Sequence, residues 1–291
     1  MKKMILTLLS IVTVSTAITA QEKNKSSVYE GFQHPESVIA HKKHLFVSNT
    51  GEKLEPLAKD GDGYITLLSR KDNKVIEQKF ISDLNSPKGM FVKRGVLYVA
   101  DVDKVVGYNI KTKKKVFEKN LANNGALYLN DVTRAPFGIY VSATLNDGFY
   151  KINNRGKVKE IKLKNNHLVG VNGISRKPLG KVFVANFGED TKQGNVGKFG
   201  TVIKKYKTLK NGGINDGIVT KGKIYYTDWV NRTENDGDII SMRRNGKKVR
   251  VNHINTNLSG PSDIYVDRKQ RVLWVPAMNE NKIVAVPFSL L

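Results

Sequence analysis

One short phrase is written six times along this chain, and nothing else in its 291 residues restricts the fold so strongly. Its clearest copies are Val171-Asn172-Gly173-Ile174 and Asn215-Asp216-Gly217-Ile218. The others are His34-Pro35-Glu36-Ser37-Val38, Pro87-Lys88-Gly89-Met90, Leu129-Asn130-Asp131-Val132 and Pro261-Ser262-Asp263-Ile264. Each copy sets an apolar residue (Val38, Met90, Val132, Ile174, Ile218, Ile264) two positions after a polar marker. The markers Glu36, Lys88, Asn130, Asn172, Asp216 and Ser262 are spaced by 52, 42, 42, 44 and 46 residues.

A period in the forties fits either propeller blades or helical repeats, so the pattern inside each copy decides. That pattern is β. A run with period-two alternation follows every marker: Leu45–Asn49, Leu97–Asp101, Ile139–Ala143, Val182–Asn186, Ile224–Asp228 and Leu273–Ala277. A third strand comes next, as in Gly63–Leu67 and Gly237–Ser241, and a fourth follows turns such as Lys71-Asp72-Asn73 and Arg244-Asn245-Gly246. Four strands in six copies describe an all-β, six-bladed propeller. The last copy runs out at Val286-Pro287-Phe288, after its third strand, and Val28–Phe32 reads as the strand that completes it. Joining the two termini in one blade leaves no open circular edge. No linker or change of composition divides residues 28–291, which are expected to form one domain.

Residues 1–20 carry a different message. Lys2 and Lys3 precede an apolar run from Met4 to Val14, and small residues follow up to Ala17 or Ala20. This is the layout of a secretory signal peptide with cleavage after one of those alanines. The run is too short for a membrane span, the alternative being a retained interfacial anchor. The polar stretch 21–27 reads as a flexible leader. Without cysteine there is no disulfide, no thiolate ligand and no lipid-modified thiol. A bacterial periplasmic or secreted location is expected.

The formal net charge is +23, from which loss of Lys2 and Lys3 takes two. Such a surface attracts nucleic acid, envelope polymers or acidic substrates. Yet the lysines are spread through turns such as Lys111-Thr112-Lys113-Lys114-Lys115 and Lys204-Lys205, with no recognition helix or aromatic RNA-binding motif beside them. They read as a solvated surface, with no specific nucleic-acid partner. Nothing in the chain sets an oligomeric state.

In a propeller the first strand of each blade lines the central channel. Markers at equivalent places should therefore converge on one axial point, although Glu36 and Asp216 are 180 residues apart. Glu36, Asn130, Asn172 and Asp216 would offer two carboxylates and two carboxamides. Oxygen-only ligands of that kind suit a hard divalent cation, calcium before magnesium, whereas zinc recruits His or Cys. Taken singly, each marker reads as an ordinary strand-capping turn residue; it is four of six at equivalent positions that point to a cation.

These motifs resemble the gluconolactonase, regucalcin and paraoxonase-like superfamily of six-bladed propellers, and its diisopropylfluorophosphatase branch, over essentially Val28–Phe288. Pro35-Glu36-Ser37 resembles the family's first-blade glutamate motif. Asn130-Asp131 is similar to its third-blade asparagine, which binds metal in some members and substrate in others. Asn172-Gly173-Ile174 and Asp216-Gly217 look like its Asn-Gly and Asp-Gly motifs. The resemblance implies hydrolysis of a lactone or related small-molecule ester at a divalent cation, most simply Ca2+. Asp216 would serve as general base or, in a phosphotriesterase-like variant, as nucleophile, while Glu36 holds the metal. Lys88, Asp131 and Ser262 are the expected substrate-binding positions.

Lys88 departs from this pattern. Its ammonium either pairs with a carboxylate, binds an acidic substrate, occupies the cation position and abolishes catalysis, or snorkels to the surface. A different class of function also stays open: a non-catalytic propeller that binds an anionic small molecule or envelope polymer through Lys88 and the basic surface.

The long loops Thr50–Asp62, Gly188–Gly200 and Val230–Asp236 are expected to shape one rim. Asp60-Gly61-Asp62-Gly63 and Asn235-Asp236-Gly237-Asp238 echo calcium loops but lack the length and final glutamate of an EF-hand, and read as hairpin turns. Tyr226-Thr227-Asp228-Trp229 reads as a packed strand end, and His34 and His167 as exposed histidines.

Overall fold

Six antiparallel four-stranded sheets appear in the computed structural model, which describes residues 25–161, 169–176, 182–186, 195–199, 204–206, 215–229, 237–243, 245, 247–252, 254 and 256–291. The expected signal segment lies outside these residues. So do His167, the loop Val230–Asp236 and most of Gly188–Gly200.

The inner strands of blades 1 to 5 are Pro35–His41, Pro87–Lys93, Leu129–Ala135, Val171–Arg176 and Asn215–Lys221. Blade 6 has a shorter one, Tyr265–Asp267, and its marker Ser262 stands ahead of it beside an isolated bridge from Pro261 to Ala277. Successive inner strands touch one another all the way round, and the sixth returns to the first. The all-β, six-bladed propeller read from the period is the fold.

Closure is as expected, with slightly different limits. Ser27–Glu30 supplies the fourth strand of blade 6, pairing antiparallel with Lys282–Pro287 from Ser27 opposite Ala285 to Glu30 opposite Lys282. A polar chain of contacts locks this seam. The Asp267 carboxylate of blade 6 accepts from Arg70 of blade 1, with the Arg70 Nε bond at 2.7 Å. Gln270 Nε2 donates to Arg70 O at 3.0 Å and to Asn73 Oδ1 at 2.6 Å, and Asn73 Nδ2 donates to the Tyr29 hydroxyl at 2.7 Å. Tyr29 lies on the closing strand and packs against Trp274, ring centroids 5.5 Å apart.

The core is distributed. Six buried apolar clusters fill the six gaps between neighbouring blades, for example Phe46, Ile65 and Phe80 against Leu97 and Val99. Alternation along each strand sends apolar side chains to both faces of a blade, and each face is buried by the next blade. Among the described residues, no helix is long and apolar enough to cross a membrane.

Candidate functional site

The markers owe their direction to a bulge. In blades 2 to 5, three steps along the inner strand answer two along its partner: Pro87–Met90, Leu129–Val132, Val171–Ile174 and Asn215–Ile218. In blade 1 the extra residue falls between Pro35 and Ser37, at Glu36 itself. An extra residue leaves the ladder and re-aims its side chain, here towards the axis. Simple alternation along the inner strand is interrupted by this local break.

Freed backbone groups at the bulge need partners. A hydroxyl on the second strand provides one in three blades: Ser48 Oγ accepts from Ser37 N at 2.9 Å, Ser142 Oγ from Asp131 N at 2.9 Å, and Thr227 Oγ1 from Gly217 N at 2.8 Å. Neighbouring bulges also press together. A Cβ on Gly89 would stand 2.2 Å from Asp131 Oδ1, one on Gly173 2.3 Å from the Asp216 carbonyl oxygen, and one on Gly217 2.5 Å from that of Ser262. Only glycine allows this approach.

All six markers are buried. Four of them share a more telling property: Glu36 Oε2, Asn130 Oδ1, Asn172 Oδ1 and Asp216 Oδ1 are buried oxygens without a hydrogen-bond partner. Burying such atoms unpaired costs about 1–3 kcal/mol each, and more for a carboxylate. They are the same four residues that the sequence offers as cation ligands.

Burial, and then the charges of Asp216 and Asp263, hold the Glu36 carboxyl well above the usual range, against the pull of Lys88. Burial and Asp263 raise Asp216, with Trp229 acting the other way. Burial and Asp263 also raise Asp131, despite hydrogen bonds from the Ile174 and Val132 amides. Asp263 itself is pushed up to about 6 by burial, although Ser37 Oγ donates to its Oδ2 at 2.7 Å. A divalent cation among the unpaired oxygens would reverse the direction for Glu36 and Asp216. Among the described residues, no three His, Cys, Asp or Glu side chains gather into a metal-holding group, so a cation here depends on the two carboxamides. Oxygen donors of mixed charge suit calcium.

The three expected substrate-binding residues are placed differently. Lys88 is buried, and its three protons go to Pro56 O at 2.9 Å, Ser86 O at 2.8 Å and Ser86 Oγ at 3.2 Å. Its ammonium also sits 4.7 Å from the centre of the Tyr128 ring. Burial lowers its pKa to about 8, against the charges of Glu36 and Asp101. This differs from the four alternatives set out for Lys88: the buried ammonium bonds to carbonyl and hydroxyl oxygens and ties Pro56 of the loop 50–62 to Ser86. Asp131 is engaged on both oxygens, by Val132 N at 2.6 Å and Ile174 N at 2.7 Å. Ser262 Oγ donates to Pro35 O at 3.4 Å.

Two participants escaped the sequence reading. Asp263 follows its marker as Asp131 follows Asn130, and that parallel was available as a signal. Tyr128 had none, because its place under Lys88 arises from a turn with φ of 61° ahead of the third inner strand. In the loop 50–62, Glu52 N donates to Asp62 Oδ2 at 2.8 Å and Asp62 N to Asp60 Oδ1 at 3.3 Å, a self-bonded turn. His34 donates its backbone N–H to Asn281 Oδ1 at 2.7 Å, between blades 1 and 6.

A six-bladed β-propeller with buried, unpartnered oxygens near the starts of four inner strands is the class of protein that fold and site define. No protein-family model matches the chain, and no curated protein does. Solved structures do. A structural-genomics target taken for a gluconolactonase matches with a TM-score of 0.61 at 12% identity, over 90% of this chain and 91% of that one. Virginiamycin B lyase from Staphylococcus aureus matches with a TM-score of 0.59 at 12% identity, over 90% and 99%. Hydrazine synthase of Kuenenia stuttgartiensis matches with a TM-score of 0.62 at 14% identity, over 84% and 74%. Likeness at these identities establishes the fold.

Proposed function

We propose that this chain is an exported, calcium-dependent hydrolase of the gluconolactonase type, acting on a lactone or related ester at a cation in the propeller channel. One observation carries the reading: four buried oxygens, from Glu36, Asn130, Asn172 and Asp216, stand without partners at equivalent places in four blades. Turn residues that merely cap strands would have their oxygens bonded to nearby amides, as Asp131 does. A propeller shared with a target taken for a gluconolactonase and with a lyase fits this reading.

Glu36, Asn130 and Asn172 would hold the cation together with Asp216. When bound, it supplies Lewis-acid polarisation of the scissile carbonyl. Asp216, ionised beside the cation, would take the proton of the attacking water as general base. Lys88 keeps the loop 50–62 seated and so limits water at the mouth. That rim carries exposed apolar side chains among charged ones: Leu54 and Leu57 flank Pro56 beside the exposed Lys53 and Glu55, and Leu127 and Leu145 are exposed where their backbones join through Leu145 N to Leu127 O at 3.3 Å. An ester with an apolar substituent suits such a mouth.

The test is a screen of lactones and aryl esters with purified protein, in calcium and after chelation. Turnover that chelation abolishes and calcium restores is expected, with a loss of about 100-fold or more in kcat for Asp216→Asn. Turnover unchanged by chelation, or in a folded Asp216→Asn protein, would overturn the reading.

A further inference from the structure

A second cavity, of about 680 Å³, opens at the hairpin turns where inner strands end, away from the markers at their beginnings. Its walls carry Lys93 and Arg94 from blade 2, Arg134 and Phe137 from blade 3, Asn154, and Arg176 from blade 4. Among the described residues, no acidic side chain lines it. Among the described residues none of the four cations has a carboxylate partner, although surface lysines elsewhere do, as Lys113 does with Glu77 at 2.6 Å. Lys93 has a weak 3.4 Å contact to Asn154 Oδ1, and Arg176 Nε is buried without any partner. Partial burial, and then the charges of Arg134 and Arg94, push the Lys93 ammonium downward. This is a concentration of positive charge that no carboxylate among the described residues neutralises.

Phe137 is the second observation. It stands at φ 54° in the turn Ala135-Pro136-Phe137-Gly138, at a place that glycine or asparagine fills with less strain. There the ring is 81% exposed and flanks the same cavity. An exposed aromatic in a strained turn, beside four unpaired cations, matches a ligand with a flat ring and several negative charges.

We propose that this cavity binds a small phosphorylated molecule carrying a planar ring. The guanidinium forks of Arg94, Arg134 and Arg176 would grip phosphate oxygens, and Phe137 would stack on the ring. The volume lies within the range of small-ligand sites. The assignment is independent of the hydrolase reading, since none of its residues belongs to the channel cluster.

Calorimetry in metal-free buffer at physiological salt, with ATP, inorganic pyrophosphate and a DNA duplex as probes, tests it. One ATP and one pyrophosphate should bind per chain. The double variant Arg94→Ala/Arg134→Ala should weaken both, by about tenfold for each guanidinium removed. Phe137→Gly should weaken ATP about fivefold or more and leave pyrophosphate unchanged. Arg94, Arg134 and Phe137 are exposed, so the melting temperature should not fall in either variant, and the variants report on binding. Failure of pyrophosphate to saturate, or its undiminished binding to the double variant, would overturn the proposal. So would binding of duplex DNA alone, the behaviour of a diffuse basic surface.

Discussion

Lys88 is where chemistry and architecture compete at a single residue. Its buried ammonium sits among carboxyls that a cation would otherwise have to itself, yet its three protons are taken up by Pro56 and Ser86. The two effects part on substitution. Lys88→Met removes a positive charge from the channel, so calcium should bind more tightly, by roughly tenfold or more at the low effective dielectric of such a site. The same change leaves the Pro56 and Ser86 carbonyls without a donor, so the protein should melt earlier by the equivalent of about 1–3 kcal/mol. Calorimetric titration and a thermal scan on one preparation check both signs. Weaker calcium binding would mean that Lys88 shapes the site more than its charge opposes it.

The repeating element is the inner strand with its bulge, and glycine is what lets one such strand lie against the next. Gly173→Ala would drive a methyl into the Asp216 carbonyl, 2.3 Å away. Overpacking of that kind costs about 1–3 kcal/mol. Because the strain falls on the backbone of Asp216, turnover should drop further than stability explains, which kcat measured well below the melting temperature would reveal. Gly95, which faces open space, is the control for volume although its φ of 76° keeps some strain. Much at this scale was legible in the chain. The period, the alternation and the blade-closing strand are local or recurrent patterns, and four of the marker residues emerged with unpaired oxygens. The bulge was not legible, because it is a mismatch between two strands, visible only when Pro87 and Met90 are set against Asp101 and Val99. Nor was the Pro56 contact, since a backbone carbonyl has no letter. Ser48, Ser142 and Thr227 stood at one recurring position, and their task appears only when the bulged amides need acceptors.

At the scale of the molecule, stability concentrates at the seam. Asp267 is fully buried and pairs with Arg70 across it. Burial alone would raise this carboxyl, but the Arg70 hydrogen bonds, the Gln270 amide and the Arg70 charge hold it below its ordinary value. A carboxyl depressed in the folded state stabilises fully above its unfolded pKa, near pH 4, and that contribution is lost as pH falls through the folded value. Asp267→Asn should therefore cost about 3–5 kcal/mol at neutral pH, the effect of breaking a buried pair. The difference from the wild type should stay constant down to about pH 4 and shrink below it. Chemical denaturation at a series of pH values measures this directly. The channel gives a second lever: withdrawing a calcium ion present at about 100 times its Kd removes about 2.7 kcal/mol. The melting temperature should then fall by roughly 5–10 °C on chelation, and remain unmoved if no cation binds.

The strand that closes the ring comes from the first described residues, and its partner from the last. A nascent chain would thus present Ser27–Glu30 long before Lys282–Pro287 exists to receive it, and the final blade must wait for that segment. Order along the gene and order around the ring are then separable. The pairing is antiparallel, so residues 25–32 could follow Leu291 through a short linker as an ordinary hairpin. A chain permuted in this way, beginning at Gln33, should reach the same ring with its seam now local in sequence, and should refold faster than the natural order because the longest loop closure has been removed.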